Sequence, residues 1–221
     1  ESEQAPAAGA SGGVALGDQA EVVALSDIDP AKMNALAAKF PQAARYSEYQ
    51  ELVKHDLDGV VVAVGNVLHK AVAIAALQSK KAVLLEKPMA MNSREAEAIQ
   101  AAAKKSGAVL QVGMVRRQMP AARIVKEYVD KDYFGPIYHI RAVLIRRRGI
   151  PGLGGWFTTK SASGGGPMID LGVHLFDQVM WMSGLWKPTH VSARTYAKFG
   201  PRMGEYRYVG MWAGPPKLNG T

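Results

Sequence analysis

The chain has no cysteine among its 221 residues. Disulfide bonds, thiolate metal ligands and a thiol nucleophile are therefore excluded, so any chemistry must use other side chains, and no metal site is predicted. Aromatic residues account for only 8% of the chain, whereas hydrophobic residues account for 48%. This hydrophobic content is enough for a buried core, and the length allows one large domain or two small ones.

Long hydrophobic runs are also missing. No window reaches the roughly 18 apolar residues that a membrane span requires. Residues 1–13 lack the basic and apolar regions of a signal peptide. We therefore predict a cytoplasmic protein with no membrane partner, a compartment that also suits a chain without cysteine.

Acidic residues are fewer than basic residues, and the formal net charge is +8. Basic surfaces attract phosphate, so a nucleic acid is one partner to consider. Most of the cations, however, are dispersed, and no nucleic-acid motif accompanies the two concentrated clusters at residues 116–117 and 146–148. We predict no nucleic-acid partner and expect a small anionic ligand instead.

The first half of the chain has the pattern of a parallel sheet with crossover helices. Strands are predicted over residues 22–25, 59–64, 82–85 and 109–112, all apolar on both faces and therefore expected to be buried on both. Helices are predicted over residues 30–40, 67–79 and 93–106. Asp29 and Ser93 are predicted to cap the first and third helices, and Gly107 to end the third.

The pattern changes after a boundary near residues 116–120. A helix is predicted over residues 121–130, and strands over 137–145 and 190–198, with a glycine-rich irregular stretch at 146–166 between them. The predicted fold class is therefore α/β, with a Rossmann-type parallel sheet followed by an α+β domain whose sheet is open and largely antiparallel. The predicted domains are residues 1–118 and 119–221.

Ionisable groups collect on one side of a predicted helix that follows Gly164-Gly165-Gly166. At 100° per residue, Asp170, His174 and Asp177 fall within about 60° of one another. Three glycines before such a helix allow a ligand or a backbone to approach closely, because no Cβ stands in the way. This pattern favours a catalytic site, although an ordinary amphipathic helix with a solvated stripe has the same pattern.

A second group of polar residues follows the buried strand at residues 82–85. Glu86 and Lys87 lie at its carboxyl end, where open α/β sheets bind ligands, and Pro88 restricts Lys87 to an extended conformation. The alternative to a functional site is that Glu86 and Lys87 are only the solvent-exposed end of a strand. Gly65, Asn66 and His69 follow the preceding strand at the same edge, where a helix cap and a surface histidine are the ordinary alternatives.

Asp27 ends the first predicted strand. A carboxylate at this position can accept hydrogen bonds from both ribose hydroxyls of a dinucleotide, and it repels a ribose phosphate. The residue therefore favours NAD over NADP as the cofactor.

Three motifs occur in order along the chain. They are an Asn66-x-x-His69 turn, a Glu86-Lys87-Pro88 strand end, and the run Gly164-Gly165-Gly166-x-x-x-Asp170-x-Gly172-x-His174-x-x-Asp177. In this combination the chain resembles the glucose–fructose oxidoreductase, inositol dehydrogenase and rhizopine-catabolism (Gfo/Idh/MocA) family. The resemblance covers residues 22–199.

This resemblance implies a dinucleotide-binding domain followed by a substrate domain. It implies hydride transfer between a nicotinamide and a secondary alcohol of a sugar, sugar acid or cyclitol. Lys87 would hydrogen-bond the substrate hydroxyl, His174 would exchange its proton and Asp170 would orient both. It also implies a cis Lys87–Pro88 bond and a homodimer or homotetramer.

The predicted site has three sets of residues. The catalytic residues are Lys87, Asp170 and His174, and Arg116 joins these three in the predicted substrate site. The predicted cofactor contacts are Asp27, Gly65, Asn66, His69, Glu86, Lys87 and Pro88.

Two features depart from the family pattern. The first strand with its Gly-x-Gly-x-x-Gly phosphate turn is not recognisable, and the last strands of the second sheet are missing, so we expect a chain that is truncated at both ends. Two other functions stay open: an NAD-dependent glycoside hydrolase of the same fold, and a non-catalytic binding protein that keeps the pocket.

Overall fold

A computed structural model describes residues 19–145, 155–198, 200 and 202. The chain divides into two compact units between Asp56 and Leu57. The domain boundary predicted near residue 118 stays a prediction. The basic cluster at residues 146–148 and part of the predicted glycine-rich stretch lie outside the described residues.

The first unit contains a pair of parallel strands, β1 (Ala24–Ser26) and β2 (Ala44–Tyr46). Helix α1 (Pro30–Ala37) connects them, and the short helix α2 (Tyr49–Leu52) follows β2. The Asp29 side chain accepts a hydrogen bond from the second residue of α1, and proline occupies the first position of the helix. The predicted cap is thus confirmed, because a short acidic side chain satisfies a backbone donor that the first helical turn leaves free.

The second unit contains a three-stranded parallel sheet. Its strands lie in the order β3 (Gly59–Val62), β4 (Ala82–Leu85) and β5 (Leu110–Val112). Because all three strands run in the same direction, their carboxyl ends share one edge of the sheet. The predicted parallel strands are confirmed here, and β4 has its predicted bounds.

The described part of this unit contains five α-helices. They are α3 (His69–Gln78), α4 (Ser93–Ser106), α5 (Pro120–Asp130), α6 (Lys160–Ser163) and α7 (Val173–Ser183). Single 3₁₀ turns occur at Asn66–Leu68, Val115–Gln118 and Trp156–Thr158, and a π-helical turn, Met168–Gly172, leads into α7.

The core of this unit lies between the sheet and α3, which packs on β3 and β4 and against α4. Its most buried apolar side chains are Val62, Leu77, Val83, Leu85 and Ile99. Burial of such side chains is the main driving force that holds the helices on the sheet, at about 25 cal/mol for each Å² of apolar surface. The strand ends that this core fixes carry the predicted site.

Burial of the strands on both faces is a prediction that the structure corrects. Val61 pairs with Leu84, and Leu84 with Gln111, so these three residues form one row across the sheet. Val61 is 69% exposed and Leu84 is 44% exposed. The reason is that α3 packs on the opposite face, where Val62 and Leu85 are buried.

The cap of α4 is also corrected. The N-cap is Asn92, one residue before the predicted Ser93, and its side chain accepts a hydrogen bond from the backbone N–H of Glu95 at 3.0 Å. The end at Gly107 is confirmed, because this residue has a left-handed φ of 72° that favours glycine.

The two strands predicted at residues 137–145 and 190–198 are wrong for the described residues, which contain no β-ladder there. A strand needs a neighbour that accepts and donates its backbone hydrogen bonds. The alternation of residues 137–145 predicts which side chains would share a face, but not whether a partner strand lies beside them. The α/β class itself is confirmed by the parallel sheets and their helices.

Candidate active site

Lys87 extends from the carboxyl end of β4 toward the turn before α7. Its ammonium lies 2.6 Å from Oδ1 of Asp170 and 3.0 Å from the backbone carbonyl of the same residue. The two side chains are 19% and 27% exposed, so a ligand can still reach them. The predicted cis Lys87–Pro88 peptide bond is confirmed.

The glycine-rich lead into α7 explains how Asp170 reaches this position. Gly164 has a φ of 86°, and a Cβ there would lie 3.1 Å from the sulfur of Met91, so a side chain would be both strained and crowded. At Gly172 a Cβ would lie only 2.5 Å from the sulfur of Met168. Gly164 therefore permits the left-handed backbone that precedes the π-helical turn carrying Asp170, and π-helical turns are frequent at functional sites.

His174 lies in the first turn of α7 and is 8% exposed. Its Nδ1 atom is buried and has no hydrogen-bond partner within the described residues. Burial lowers the pKa of His174 below its ordinary value of 6.5, and the nearby cations of Lys87 and Arg116 lower it further, against the opposing charges of Asp170 and Asp177. An imidazole with this environment is neutral at physiological pH and can accept a proton.

Arg116 and Arg117 lie in the 3₁₀ turn that follows β5. Arg116 belongs to the predicted substrate site, and the structure brings it close enough to affect the His174 imidazole. Arg117 instead forms a two-point ion pair with Asp177 of α7, through Nε at 2.8 Å and through its terminal nitrogen. This pair raises the pKa of the Arg117 guanidinium.

Two indole rings flank the Arg117 guanidinium, whose central carbon lies 5.9 Å from the ring centre of Trp181 and 5.7 Å from that of Trp186. Asp177, with a side chain only 9% exposed, is thus a buried carboxylate with a fixed partner. The sequence analysis placed Asp177 on the ionisable side of the helix but did not connect it to Arg117. The available signal was the Arg116–Arg117 cluster at the end of a strand.

The turn after β3 carries three predicted cofactor contacts. Gly65 lies under the ring of Trp156, so close that a Cβ would be 3.3 Å from the ring. Asn66 and His69 are 6% and 1% exposed. Both are more buried than a helix cap or a surface histidine would be, so these two alternatives do not describe them.

Glu86 and Pro88 flank Lys87 at the same edge of the sheet. Glu86 accepts a hydrogen bond from the backbone N–H of Lys87 at 3.1 Å, and its carboxylate lies over Gly113 at the end of β5. The Pro88 carbonyl accepts a hydrogen bond from His69. Their predicted contact with the cofactor stays a prediction.

Asp27 belongs to the first unit and follows β1 directly. One of its carboxylate oxygens, Oδ1, accepts a hydrogen bond from the backbone N–H of Asp29 at 2.8 Å. This bond orients the carboxylate at the carboxyl end of the strand, as a ribose contact requires. The predicted contact of Asp27 with a ribose stays a prediction.

The parallel sheets and the ionisable groups at a strand end together define an α/β protein of the dinucleotide-binding class. Comparison with known proteins then identifies the chain as a member of the GFO/IDH/MocA oxidoreductase family. Residues 10–114 match the domain described as "Oxidoreductase family, NAD-binding Rossmann fold", and residues 122–211 match the GFO/IDH/MocA C-terminal domain. The predicted family and the prediction of an NAD-binding domain are confirmed.

Individual relatives are similar over most of this chain. A protein described as the oxidoreductase subunit of a UDP-kanosamine synthase from Amycolatopsis mediterranei is 38% identical over 74% of this chain and 45% of its own length. D-glucoside 3-dehydrogenase of Escherichia coli is 34% identical over 81% of this chain and 51% of its own length. The chain thus spans about half the length of these curated relatives.

A solved structure agrees with this assignment. The crystal structure of an NAD-binding protein from Listeria innocua superposes with a TM-score of 0.61 and 34% identity. The superposition covers 72% of this chain and 46% of that chain. In the part of the chain that the structure describes, no helix has both the length and the apolar character to cross a membrane.

Proposed function

We propose that this protein is an NAD-dependent oxidoreductase that oxidises a secondary hydroxyl of a sugar, sugar acid or cyclitol to a ketone. The observation that carries the proposal is the ion pair of Lys87 and Asp170, whose charges act on the nearby imidazole of His174. Burial keeps this imidazole neutral, so it can accept a proton from a ligand that binds beside the ion pair. A substrate hydroxyl is such a ligand.

Lys87 is suited to hold the oxygen of that hydroxyl. An ammonium has three hydrogen-bond donors, and Asp170 accepts two of them within the described residues. One donor is left for a substrate oxygen. The positive charge of Lys87 also stabilises the negative charge that develops on this oxygen as its proton leaves.

His174 is suited to take the proton. Its lowered pKa keeps the imidazole neutral, so one of its ring nitrogens has a lone pair that can accept the hydroxyl proton. NAD, when bound, accepts the hydride from the carbon that carries the hydroxyl. The reaction would balance, because the imidazole of His174 would take the proton and bound NAD would supply the hydride acceptor.

In this proposal Asp170 positions the ammonium of Lys87 and also affects the electrostatics of the site. Its side chain and its carbonyl both hold the ammonium of Lys87, and its negative charge partly opposes the lowering of the His174 pKa. The residue therefore fixes the distance between the acid and the base. Arg116, close to the same imidazole, is proposed to contact an anionic or polar part of the substrate.

For the cofactor, we propose NAD in preference to NADP, with Asp27 as the ribose contact in the first unit and Gly65, Glu86 and Pro88 as cofactor contacts in the second. A carboxylate accepts hydrogen bonds from ribose hydroxyls and repels a phosphate at the same place.

The name of one relative supports a narrower proposal for the substrate of this protein. D-glucoside 3-dehydrogenase, at 34% identity, acts by its name on a D-glucoside. We accordingly propose a pyranoside as the first substrate to test, with cyclitols second. The predicted homodimer or homotetramer and the cytoplasmic location stay predictions.

The test is an assay for reduced nicotinamide with NAD and a panel of D-glucosides, free sugars and cyclitols. We expect a substrate-dependent increase in NADH, no increase with the 3-deoxy analogue of a glucoside that is active at that position, and a keto product by mass spectrometry. Cleavage of a glycoside without net NADH would instead support the hydrolase. Binding without turnover of either kind would support the non-catalytic protein.

A further inference from the structure

Two buried polar side chains on the turn after β3 are bonded to distant parts of the backbone. Nδ2 of Asn66 donates to the carbonyl of Ser163 at 2.7 Å. Nδ1 of His69 donates to the carbonyl of Pro88 at 2.7 Å. At 6% and 1% exposure, neither side chain can exchange its partner for water without a movement of the backbone.

The two carbonyl acceptors lie on the two segments that carry the catalytic ion pair. Pro88 directly follows Lys87 in the chain. Ser163, itself 5% exposed, begins the glycine run that leads to Asp170. A single short turn is thus bonded to both segments, one through the amide and one through the imidazole.

His69 has no ring nitrogen left for a ligand. Besides the bond of Nδ1 to Pro88, its Nε2 lies 3.1 Å from the carbonyl of Val64 at the exit of β3. A carbonyl oxygen only accepts hydrogen bonds and a neutral imidazole carries a single N–H, so the tautomer with its proton on Nδ1 donates to Pro88, the shorter of the two contacts, while Nε2 lies against the Val64 carbonyl. The ring therefore connects the ends of two adjacent parallel strands, β3 and β4.

We propose that Asn66 and His69 are positioning residues that hold Lys87 and Asp170 at bonding distance, and that they are not cofactor contacts. The inference rests on the proposed function only where it calls Lys87 and Asp170 catalytic. Loss of the His69 bond would free the carbonyl of Pro88, and the ammonium of Lys87 would then leave Asp170. Loss of the Asn66 bond would free the carbonyl of Ser163, and Asp170 would then move away from Lys87.

The two nitrogens of His69 can be tested separately. In His69→Asn the side-chain amide nitrogen takes the place of Nδ1 and can still donate to Pro88. In His69→Gln the amide nitrogen takes the place of Nε2 and can donate only toward Val64. His69→Leu has neither donor, and Val67→Ala, an exposed neighbour on the same turn, is the matched control.

The first measurement does not depend on activity. Lys87 is labelled with an amine-reactive reagent, and the rate is followed by peptide mapping with mass spectrometry. An ion-paired ammonium reacts slowly, so we expect slow labelling in the natural protein, in Val67→Ala and in His69→Asn. We expect about tenfold faster labelling in His69→Gln and His69→Leu, because a lysine that is released from Asp170 is accessible to the reagent more often.

The second measurement separates positioning from cofactor contact. For His69→Gln we expect a fall in kcat of about tenfold or more with the Kd for NADH unchanged within about twofold, and for His69→Asn a kcat near that of the natural protein. A cofactor contact would instead weaken NADH binding in all three His69 variants. Thermal melting of each variant confirms that the compared proteins are folded.

Asn66→Asp keeps the test decisive if the His69 variants do not fold. It places a carboxylate oxygen against the Ser163 carbonyl, and we expect faster labelling of Lys87. Unchanged labelling in folded His69→Gln and Asn66→Asp would overturn the positioning role, and so would equal labelling of His69→Asn and His69→Leu. Absence of NAD-linked turnover in the natural protein would count against the proposed function alone, since the labelling result stands without it.

Discussion

The ammonium of Lys87 lies 2.6 Å from Oδ1 of Asp170, although 83 residues separate them in the chain. This ion pair joins the exit of β4 to the turn that begins α7. Both side chains are only partly exposed, so the ion pair is partly shielded from solvent but still accessible to a ligand. Most exposed ion pairs contribute less than about 1 kcal/mol to stability. The position of this pair beside the buried imidazole of His174 therefore points to chemistry more than to stability.

Replacement of the ammonium is expected to remove catalysis with little effect on folding. Lys87→Met keeps the length of the side chain but removes its charge and its donors, so we expect kcat to fall about 10²-fold or more. Lys104→Met, on the exposed side of α4, is the control. Steady-state kinetics with circular dichroism checks both points, and full turnover in a folded Lys87→Met protein would contradict the role.

The pH dependence of the reaction is expected to report His174. Its lowered pKa means that the neutral base persists below pH 6.5, so kcat/KM for alcohol oxidation should rise with pH through an inflection below that value and then level off. Arg116→Gln removes one cation that lowers this pKa, so the inflection should move to higher pH. Arg94→Gln, an exposed replacement on α4, should leave it in place.

The same pKa gives a prediction for stability. The folded protein binds a proton at His174 less readily than the unfolded chain, for which the value is near 6.5. This contribution to stability is present above pH 6.5 and is lost as the pH falls toward the folded-state pKa. Urea unfolding at several pH values should show that His174→Gln loses less stability at acid pH than the natural protein does. An identical pH dependence in the two proteins would contradict the assignment.

The ion pair of Arg117 and Asp177 is expected to fix α7 to the turn after β5. Asp177→Asn leaves the guanidinium with a neutral partner, and since Arg117 is partly exposed we expect a loss of about 2 kcal/mol in the free energy of unfolding. Urea denaturation of both single variants and of the double variant with Arg117→Gln measures the coupling between them. Additive effects of the two changes would show that the pair is not coupled.

Cofactor preference is expected to depend on Asp27. Asp27→Ala removes the acceptor for the ribose hydroxyls and the charge that repels a phosphate, so NAD should bind more weakly and the discrimination against NADP should decrease. Asp56→Asn, an exposed replacement in the same unit, is the control. Titration of both reduced cofactors provides the comparison, and an unchanged ratio of the two Kd values would remove Asp27 from the ribose site.

Patterns of local sequence correctly predicted much of the fold. The strand β4 and the helix α4 have their predicted bounds, and the Asp29 cap and the Gly107 end lie where predicted. These features depend on interactions among residues close in the chain, such as a side chain that caps the next helical turn. The strands at residues 137–145 and 190–198 were wrong because a strand depends on a partner that its own sequence does not specify.

By itself, the sequence determined the residue types of the site and their order along the chain, since the three motifs carry a lysine, an aspartate and a histidine at strand and helix ends. Only the tertiary structure decided which of these groups meet. It paired Lys87 with Asp170 and buried Nδ1 of His174 with no partner among the residues that the structure describes, and it bonded Asn66 and His69 to backbone carbonyls. The physical reason is that burial and charge pairing depend on distances between segments far apart in the chain, which neither spacing nor composition records.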